Sequence, residues 1–243
     1  MKQVPIMGIP FSRIDHKTLI KKLDEHVMRE EKSFVITANP EIVMQANADT
    51  TYMKNLHKAN YITADGIGIV RASQLLNDPL PERVTGYDLM LDLLEIANIK
   101  GYKIFLLGTY AEALARVERN LKYHYPDIEI VGTHDGYFDW DSNTVTEQVK
   151  AAEPDLTFVA LGAPKQEKWI AENIDSFDKG VFLCVGGSFD VIAGDVKRAP
   201  AVWRRHNIEW LYRLLKQPRR WRRMTALPKF AFNIIKKKLK GSS

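Results

Sequence analysis

Long apolar runs are missing from this sequence. None of its 243 residues lies in a stretch approaching the roughly 18–20 apolar residues that cross a bilayer, so any membrane contact is expected to be peripheral. Cysteine is almost absent. Cys184 is the only one, inside the apolar run Val181 to Val185, which excludes a disulfide scaffold and fits a reducing cytoplasm. Met1 to Phe11 has no apolar core and contains Pro5 and Pro10, so no signal peptide is expected there. Neither GxGxxG nor GxxxxGK[ST] occurs, which argues against an NAD-type fingerprint and a P-loop. The six histidines are scattered without HxxxH or HExxH spacing, and Cys184 has no Cys or His neighbour, so zinc is not suggested.

Acidic residues are nearly missing from the last quarter of the chain. From Lys197 onward there are fifteen lysines and arginines and one acid, Glu209, a net charge of +14. The whole chain is +5, which leaves −9 on residues 1–196. Such asymmetry points to an anionic partner. Trp203, Trp210, Leu211, Leu214 and Leu215 fall on one helical stripe, and Leu227, Phe230, Ala231, Ile234 and Ile235 on another. Basic helices with an apolar face suit a bilayer surface better than a nucleic-acid groove. The sequence therefore divides into a body, 1–196, and a basic amphipathic helical appendage, 197–243.

What the body does have is 45% apolar residues over the chain, enough for a full core, and a regular alternation of strand and helix patterns. Short apolar strands are expected at Ser33 to Ala38, Tyr61 to Ala64, Lys103 to Leu107, Ile128 to Val131, Leu156 to Leu161 and Val181 to Val185. Most end in glycine or a polar turn and feed a helix. The fold class this predicts is α/β, a Rossmann-like, mainly parallel sheet flanked by helices.

Five polar or Gly-rich stretches follow these strands: Thr37 to Glu41, Ala64 to Gly66, Leu106 to Thr109, Leu161 to Glu167 and Gly186 to Asp190. In an open parallel sheet the strand ends line one crevice, where ligands bind. Asp65 is the candidate general base, because Gly66 beside it has no side chain to shield the carboxylate; the competing reading is an Asp-Gly turn. Thr37 and Asn39 are placed either to bond a polyhydroxylated substrate or to cap the next helix. Gly108, Gly162 and the Gly186-Gly187 pair let a backbone approach phosphate, or simply turn the chain. Lys165 and Gln166 stand near a helix start, where a cation opposes the dipole, so Lys165 reads as answering a ligand phosphate or as a solvated lysine. Arg83 follows Pro79 and Pro81 and reads as an anion contact or an exposed structural arginine. Asp139-Trp140-Asp141 matches a DxD metal motif in form, but Asp141 or Ser142 is expected to be a helix N-cap, and no metal or cofactor is expected.

Taken in order, TANPE, TADG, PERVTGYDLM, GTHDGYF, ALGAPKQEKWI, GGSFDVIAG, KRAP and NIEWLYRL closely resemble the TagA/WecG/CpsF family of bacterial glycosyltransferases over nearly the whole chain. The nearest likeness is to its N-acetylmannosaminyltransferases of wall teichoic acid synthesis. The resemblance implies an inverting, metal-independent transfer of N-acetylmannosamine from its UDP-sugar donor to undecaprenyl-diphosphate-linked N-acetylglucosamine, forming a beta-1,4-linked disaccharide lipid. By motif position it implies Asp65 as base, with Thr37, Asn39, Arg83 and Gln166 around it. It assigns Gly108, Tyr137, Gly162, Lys165, Gly187 and Asp190 to the UDP-sugar, and Arg213, Arg220 and Arg223 to the lipid diphosphate. It further implies peripheral attachment at the cytoplasmic face of the membrane, and it leaves room for a homo-oligomer. Other UDP-sugars, N-acetylmannosaminuronic acid or a hexose, stay open because epimers differ by one hydroxyl orientation. A non-enzymatic nucleic-acid binder accounts for the tail but not for the clustered strand-end motifs.

Overall fold

The computed structural model describes residues 2–216 and 221–240. It opens with an antiparallel hairpin that the sequence reading did not anticipate, β1 (Gln3–Ile6) and β2 (Ile9–Ser12). Met7 and Gly8 turn it with φ of 48° and 84°, both positive as a type I′ turn requires. Pro5 and Pro10 face each other across the ribbon, which tolerates them because both strands are edges. Val4, Ile6, Ile9 and Phe11 are buried against the body.

Helix and strand then alternate. Helix α1 (His16–Met28) leads to β3 (Lys32–Ala38), α2 (Pro40–Ala48) and α3 (Thr50–His57) to β4 (Tyr61–Ala64), and α4 (Ile67–Leu75) and α5 (Gly86–Lys100) to β5 (Lys103–Gly108). Helix α6 (Ala111–His124) precedes β6 (Glu129–His134), α7 (Thr144–Ala152) precedes β7 (Leu156–Ala160), and α8 (Lys165–Asn173) precedes β8 (Gly180–Cys184). The basic segment forms α9 (Ser188–Ile192) at its approach, then α10 (Ala201–Arg205), α11 (Glu209–Lys216), α12 (Trp221–Met224) and α13 (Ala226–Lys240).

Among the described residues, six strands make one parallel sheet in the order β4-β3-β8-β7-β5-β6. Its central strands read as unbroken apolar runs because both faces are covered. Alternate residues feed two cores. Phe34, Ile36, Phe105, Leu107, Phe182 and Cys184 pack on one face with α2, α3 and α8, while Val35, Ile104, Leu106, Val181 and Leu183 pack on the other with α1, α5 and α6. The expected α/β architecture is therefore present, and each predicted strand lies within three residues of its place. One expected cap is corrected. The residue before α7 is Asn143, not Asp141 or Ser142, because Asp139 takes the Asp141 N–H at 3.0 Å and Ser142 Oγ accepts the Thr144 N–H at 3.2 Å.

The tail differs more from its expectation. The stripe of Leu227, Phe230 and Ile234, read as bilayer-facing, turns inward: α13 packs on α2 and α4, and Phe230 and Ile234 are 3% and 2% exposed. Ile235 of the same stripe is half exposed at the cavity, and Phe232 and Leu239 are solvent-exposed on the other side of α13. Burial of an aromatic ring of this kind contributes about 3 kcal/mol. Phe230→Ala is thus expected to lower unfolding stability by about that amount, read by urea denaturation; no change would mean that α13 does not rest on the body.

Candidate active site

A cavity of about 590 Å³ opens at the C-terminal ends of β4, β3, β8 and β7. It is of the size that holds a small-molecule substrate. It lies where a ligand belongs in such a sheet: β3 feeds α2 on one face while neighbouring β8 feeds α9 on the other, so the chain parts between them.

Four strand ends supply its polar groups. Thr37 ends β3, and its hydroxyl lies 3.5 Å from the Cys184 carbonyl. Asn39 caps α2, its Oδ1 accepting the Ile42 N–H at 3.1 Å, so the capping reading holds while the residue also lines the cavity. Asp65 follows β4 and is pinned by its backbone, its N–H donating to Ala38 O at 3.0 Å. Gly66 is required by packing as much as by access, since a Cβ there would sit 2.8 Å from Pro40 Cδ. Gly86 plays the same part for α5, where a Cβ would lie 2.7 Å from Thr37 Oγ1. These two close approaches bring the Asp65 loop, the start of α2 and the start of α5 around one space.

Arg83 joins them. Its Nε donates to the Asp65 carbonyl at 2.6 Å, and its Nη2 lies 3.8 Å from Asp65 Oδ1 and 3.1 Å from Glu209 Oε2. Glu209, the one acid counted in the basic tail, is 6% exposed. A single guanidinium therefore ties the loop of the candidate base to the first turn of α11. A second arginine, Arg198, lines the same cavity, stacks 4.4 Å from the Tyr87 ring and donates to Asp88 Oδ1 at 2.5 Å. Burial pushes the Asp88 carboxyl up, but bonds from Thr85 and Arg198 outweigh it and hold the group below the usual carboxylate range.

The structure brings together Thr37, Asn39, Asp65, Arg83, Gly162, Gln166 and Gly187, all of which line the cavity. It does not place Gly108, Tyr137, Lys165 or Asp190 in that lining. Gly108 has φ +129°, and a Cβ would fall 2.4 Å from the Ala160 carbonyl carbon, so cross-strand packing alone demands glycine. Tyr137 is largely exposed beyond β6, and the Lys165 amine lies 6.0 Å from the Trp140 ring centroid. Asp190 meets the Thr109 hydroxyl at 3.4 Å. Arg220 lies outside the described residues, as do the side chains of Arg213 and Arg223.

The chain matches the glycosyl transferase WecG/TagA/CpsF family over residues 4–243. It belongs to that family. It is 41% identical over 237 residues, 97% of this chain and 92% of the relative, to a Bacillus subtilis (strain 168) protein named N-acetylglucosaminyldiphosphoundecaprenol N-acetyl-beta-D-mannosaminyltransferase. A Staphylococcus aureus (strain MW2) protein of the same name is 38% identical over 240 residues, 98% of this chain and 94% of the relative.

Several residues in and behind the cavity wall of this WecG/TagA/CpsF member escaped the sequence reading. Arg198 stood in the KRAP motif and Glu209 in NIEWLYRL, but nothing in either motif says which side chain turns inward. Glu167 was hidden most completely. It is 0% exposed, beside Gln166 in the first turn of α8, and Gln166 Nε2 donates to its Oε1 at 2.8 Å. Burial pushes its carboxyl above the usual range, outweighing the Gln166 bond. The Tyr52 hydroxyl faces it without an aligned hydrogen bond and is likewise pushed up, first by burial and then by Glu167. In the unfolded chain Glu167 ionises in the ordinary carboxylate range, whereas the folded chain holds its proton to higher pH. The native chain therefore loses stability as pH rises from that range toward the raised value. Glu167→Gln removes this loss, so its melting temperature relative to the native chain is expected to be higher at pH 8 than at pH 5; an equal difference at both would show that the group is not held protonated.

Proposed function

We propose that this chain is an inverting glycosyltransferase that moves N-acetylmannosamine from UDP-N-acetylmannosamine to N-acetylglucosaminyl-diphospho-undecaprenol, giving the beta-1,4-linked disaccharide lipid of the wall teichoic acid linkage unit. Its family and the shared name of its relatives support the reaction. The observation that carries the site is Asp65 at a strand end, in a cavity whose wall also holds Arg83, Arg71 and Arg198.

The chemistry needs a carboxylate that takes the proton from the acceptor hydroxyl as that oxygen attacks the anomeric carbon. Asp65 takes that role. The bond to UDP breaks on the opposite face, and the departing diphosphate gathers negative charge that fixed donors must meet. The cavity is lined by the starts of α2, α4, α5 and α8, whose dipoles favour an anion, together with the arginines. Asp139-Trp140-Asp141 lies away from this wall and is spent on its own turn, which supports a transfer independent of a DxD-held metal.

Asp65→Asn keeps the side-chain size and removes proton acceptance, so turnover is expected to fall by roughly 10²–10⁴ with melting unchanged. The assay is UDP release with a short-chain lipid-diphosphate acceptor, a panel of UDP-sugars and a chelator present. Near-native turnover in the folded variant would remove Asp65 from its role, and a different preferred donor or a need for added metal would revise the reaction.

The acceptor is a lipid, and the tail suits its surface. Phe232 and Leu239 point outward on α13 near the exposed Lys229 and Lys236, while Leu215 and Trp221 are exposed nearby in sequence. No helix among the described residues is long and apolar enough to cross a membrane. Peripheral docking by these side chains, with each cation near an anionic surface adding about 1 kcal/mol, accounts for both features. Arg213, Arg220 and Arg223 are assigned the acceptor diphosphate by motif position. Replacing Phe232 and Leu239 together by Ser is expected to weaken co-sedimentation with anionic vesicles at least about tenfold without lowering the melting temperature. Unchanged vesicle binding would place the membrane contact elsewhere.

A further inference from the structure

Behind the cavity wall runs a layer of polar side chains that the reaction itself does not touch. Glu167 never reaches the cavity, yet its neighbour Gln166 does. The Gln166 amide is held at both ends: Nε2 donates to Glu167 Oε1 at 2.8 Å, and Oε1 accepts the Gly186 N–H at 3.1 Å. The second bond crosses from the first turn of α8 to the loop after β8. Gly186 has φ +51°, a left-handed conformation, and the turn it makes with Gly187 forms part of the cavity wall. We propose that Glu167 is a positioning residue of the site: it fixes the orientation of the Gln166 amide and, through it, the Gly186–Gly187 turn.

The Gly186 N–H can only donate, so it needs the oxygen of the Gln166 amide. That leaves the Gln166 NH₂ facing Glu167, which must accept. A carboxyl with its proton on Oε2 offers Oε1 as an acceptor at that position. An amide has one oxygen and one NH₂, and so can present either end. The chain Glu167, Gln166, Gly186 therefore has one sense as it stands. With Gln at 167 two senses compete, and the reversed one sets an NH₂ against the Gly186 N–H. The second N–H of Gln166 is directed the same way by the same bonds, which makes Gln166 a donor toward a ligand oxygen. Retention of the proton by Glu167 adds to this, because a neutral acid keeps its accepting oxygen at little desolvation cost in a site that is closed to water. The role rests on the proposed reaction only for its kinetic readout.

Three variants of the full chain decide it: Glu167→Gln, Glu167→Met and Gln166→Leu, with the double variants. Deuterium exchange of the peptide spanning Gly186 and Gly187 reads the turn without any substrate, and turnover and KM for the UDP-sugar read its effect. Glu167→Gln is expected to stay folded, to speed exchange at Gly186 and to lower turnover about tenfold to a hundredfold, the cost of a misplaced site wall. Glu167→Met, which accepts no hydrogen bond of that strength, is expected to do at least as much. In the Gln166→Leu background neither change should matter further, by less than about twofold, because Glu167 acts through Gln166. Native exchange and native turnover in Glu167→Gln would overturn the proposal. So would independent, multiplying losses in the double variants, or failure of both Glu167 variants to fold, since Glu167 would then be holding the fold and not the turn. If the native chain transfers no sugar, the reaction is at fault, and the exchange pattern still judges the positioning role.

Discussion

Six strands running the same way is the constraint on which the site depends. Parallel pairing requires each strand to be followed by a crossover, and the crossovers here are helices that cover both faces of the sheet. Every strand therefore ends at the same edge, and every following helix begins there. The polar groups at that edge are not drawn together by attraction. They arrive because the apolar residues beneath them, Phe34 to Ile36 in β3 and Phe182 to Cys184 in β8, have only one register that buries both faces. Each buried side chain of this kind contributes roughly 1.5–3 kcal/mol, more than a typical neutral hydrogen bond in the cavity wall. The core thus fixes the wall, and close approaches at Gly66 and Gly86 set its shape.

The tail changes meaning once Glu209 is placed. By charge it is a separate object, and the break at Lys197 looks like a boundary. By packing it is not separate, since Phe230 and Ile234 complete the core beside α2 and α4, and the tail's one acid is buried against Arg83. Removing one partner of a buried ion pair leaves the other desolvated, at a cost of about 3–5 kcal/mol. Such a pair is a poor device for holding a helix down in general. Here it ties the guanidinium beside Asp65 to the first turn of α11.

The alternation of strands and helices was legible because buried parallel strands are short, apolar and punctuated by turn residues. Thr37, Asn39, Asp65, Arg83 and Gln166 could be found because strand ends are where such sheets bind ligands, and because the motifs matched a family. The hairpin at Gln3 to Ser12 was not legible: Pro5 and Pro10 hide it, and its signal is the positive φ at Met7, which no pattern shows. The direction of α13 was not legible either. Its sequence carries apolar residues on both sides, and periodicity finds a stripe without saying what covers it. Gly108 shows the reverse error. A glycine after a strand suggests phosphate, but Ala160 of the neighbouring strand already requires it. Glu167 was invisible because an acid in the first turn of a helix ordinarily serves the dipole from the surface, and only its burial reveals another use.

The arrangement of charge in the cavity follows a consistent logic. The arginines whose contacts are described are held by acids: Arg83 by Glu209 with Asp65 near, and Arg198 by Asp88 with Tyr87 beneath it. A bare guanidinium in such a cavity would be costly to desolvate and free to swing. Paired, it is fixed in place before any ligand arrives, and its remaining N–H groups point in set directions. Preorganisation of this kind lets a developing negative charge be met without rearrangement at the moment it forms. Glu167 applies the same logic to a neutral group, holding an amide by bonds that permit one orientation. The cavity is thus built with its rigid layer one residue behind the groups that line it, and that layer is where sequence patterns carry least signal.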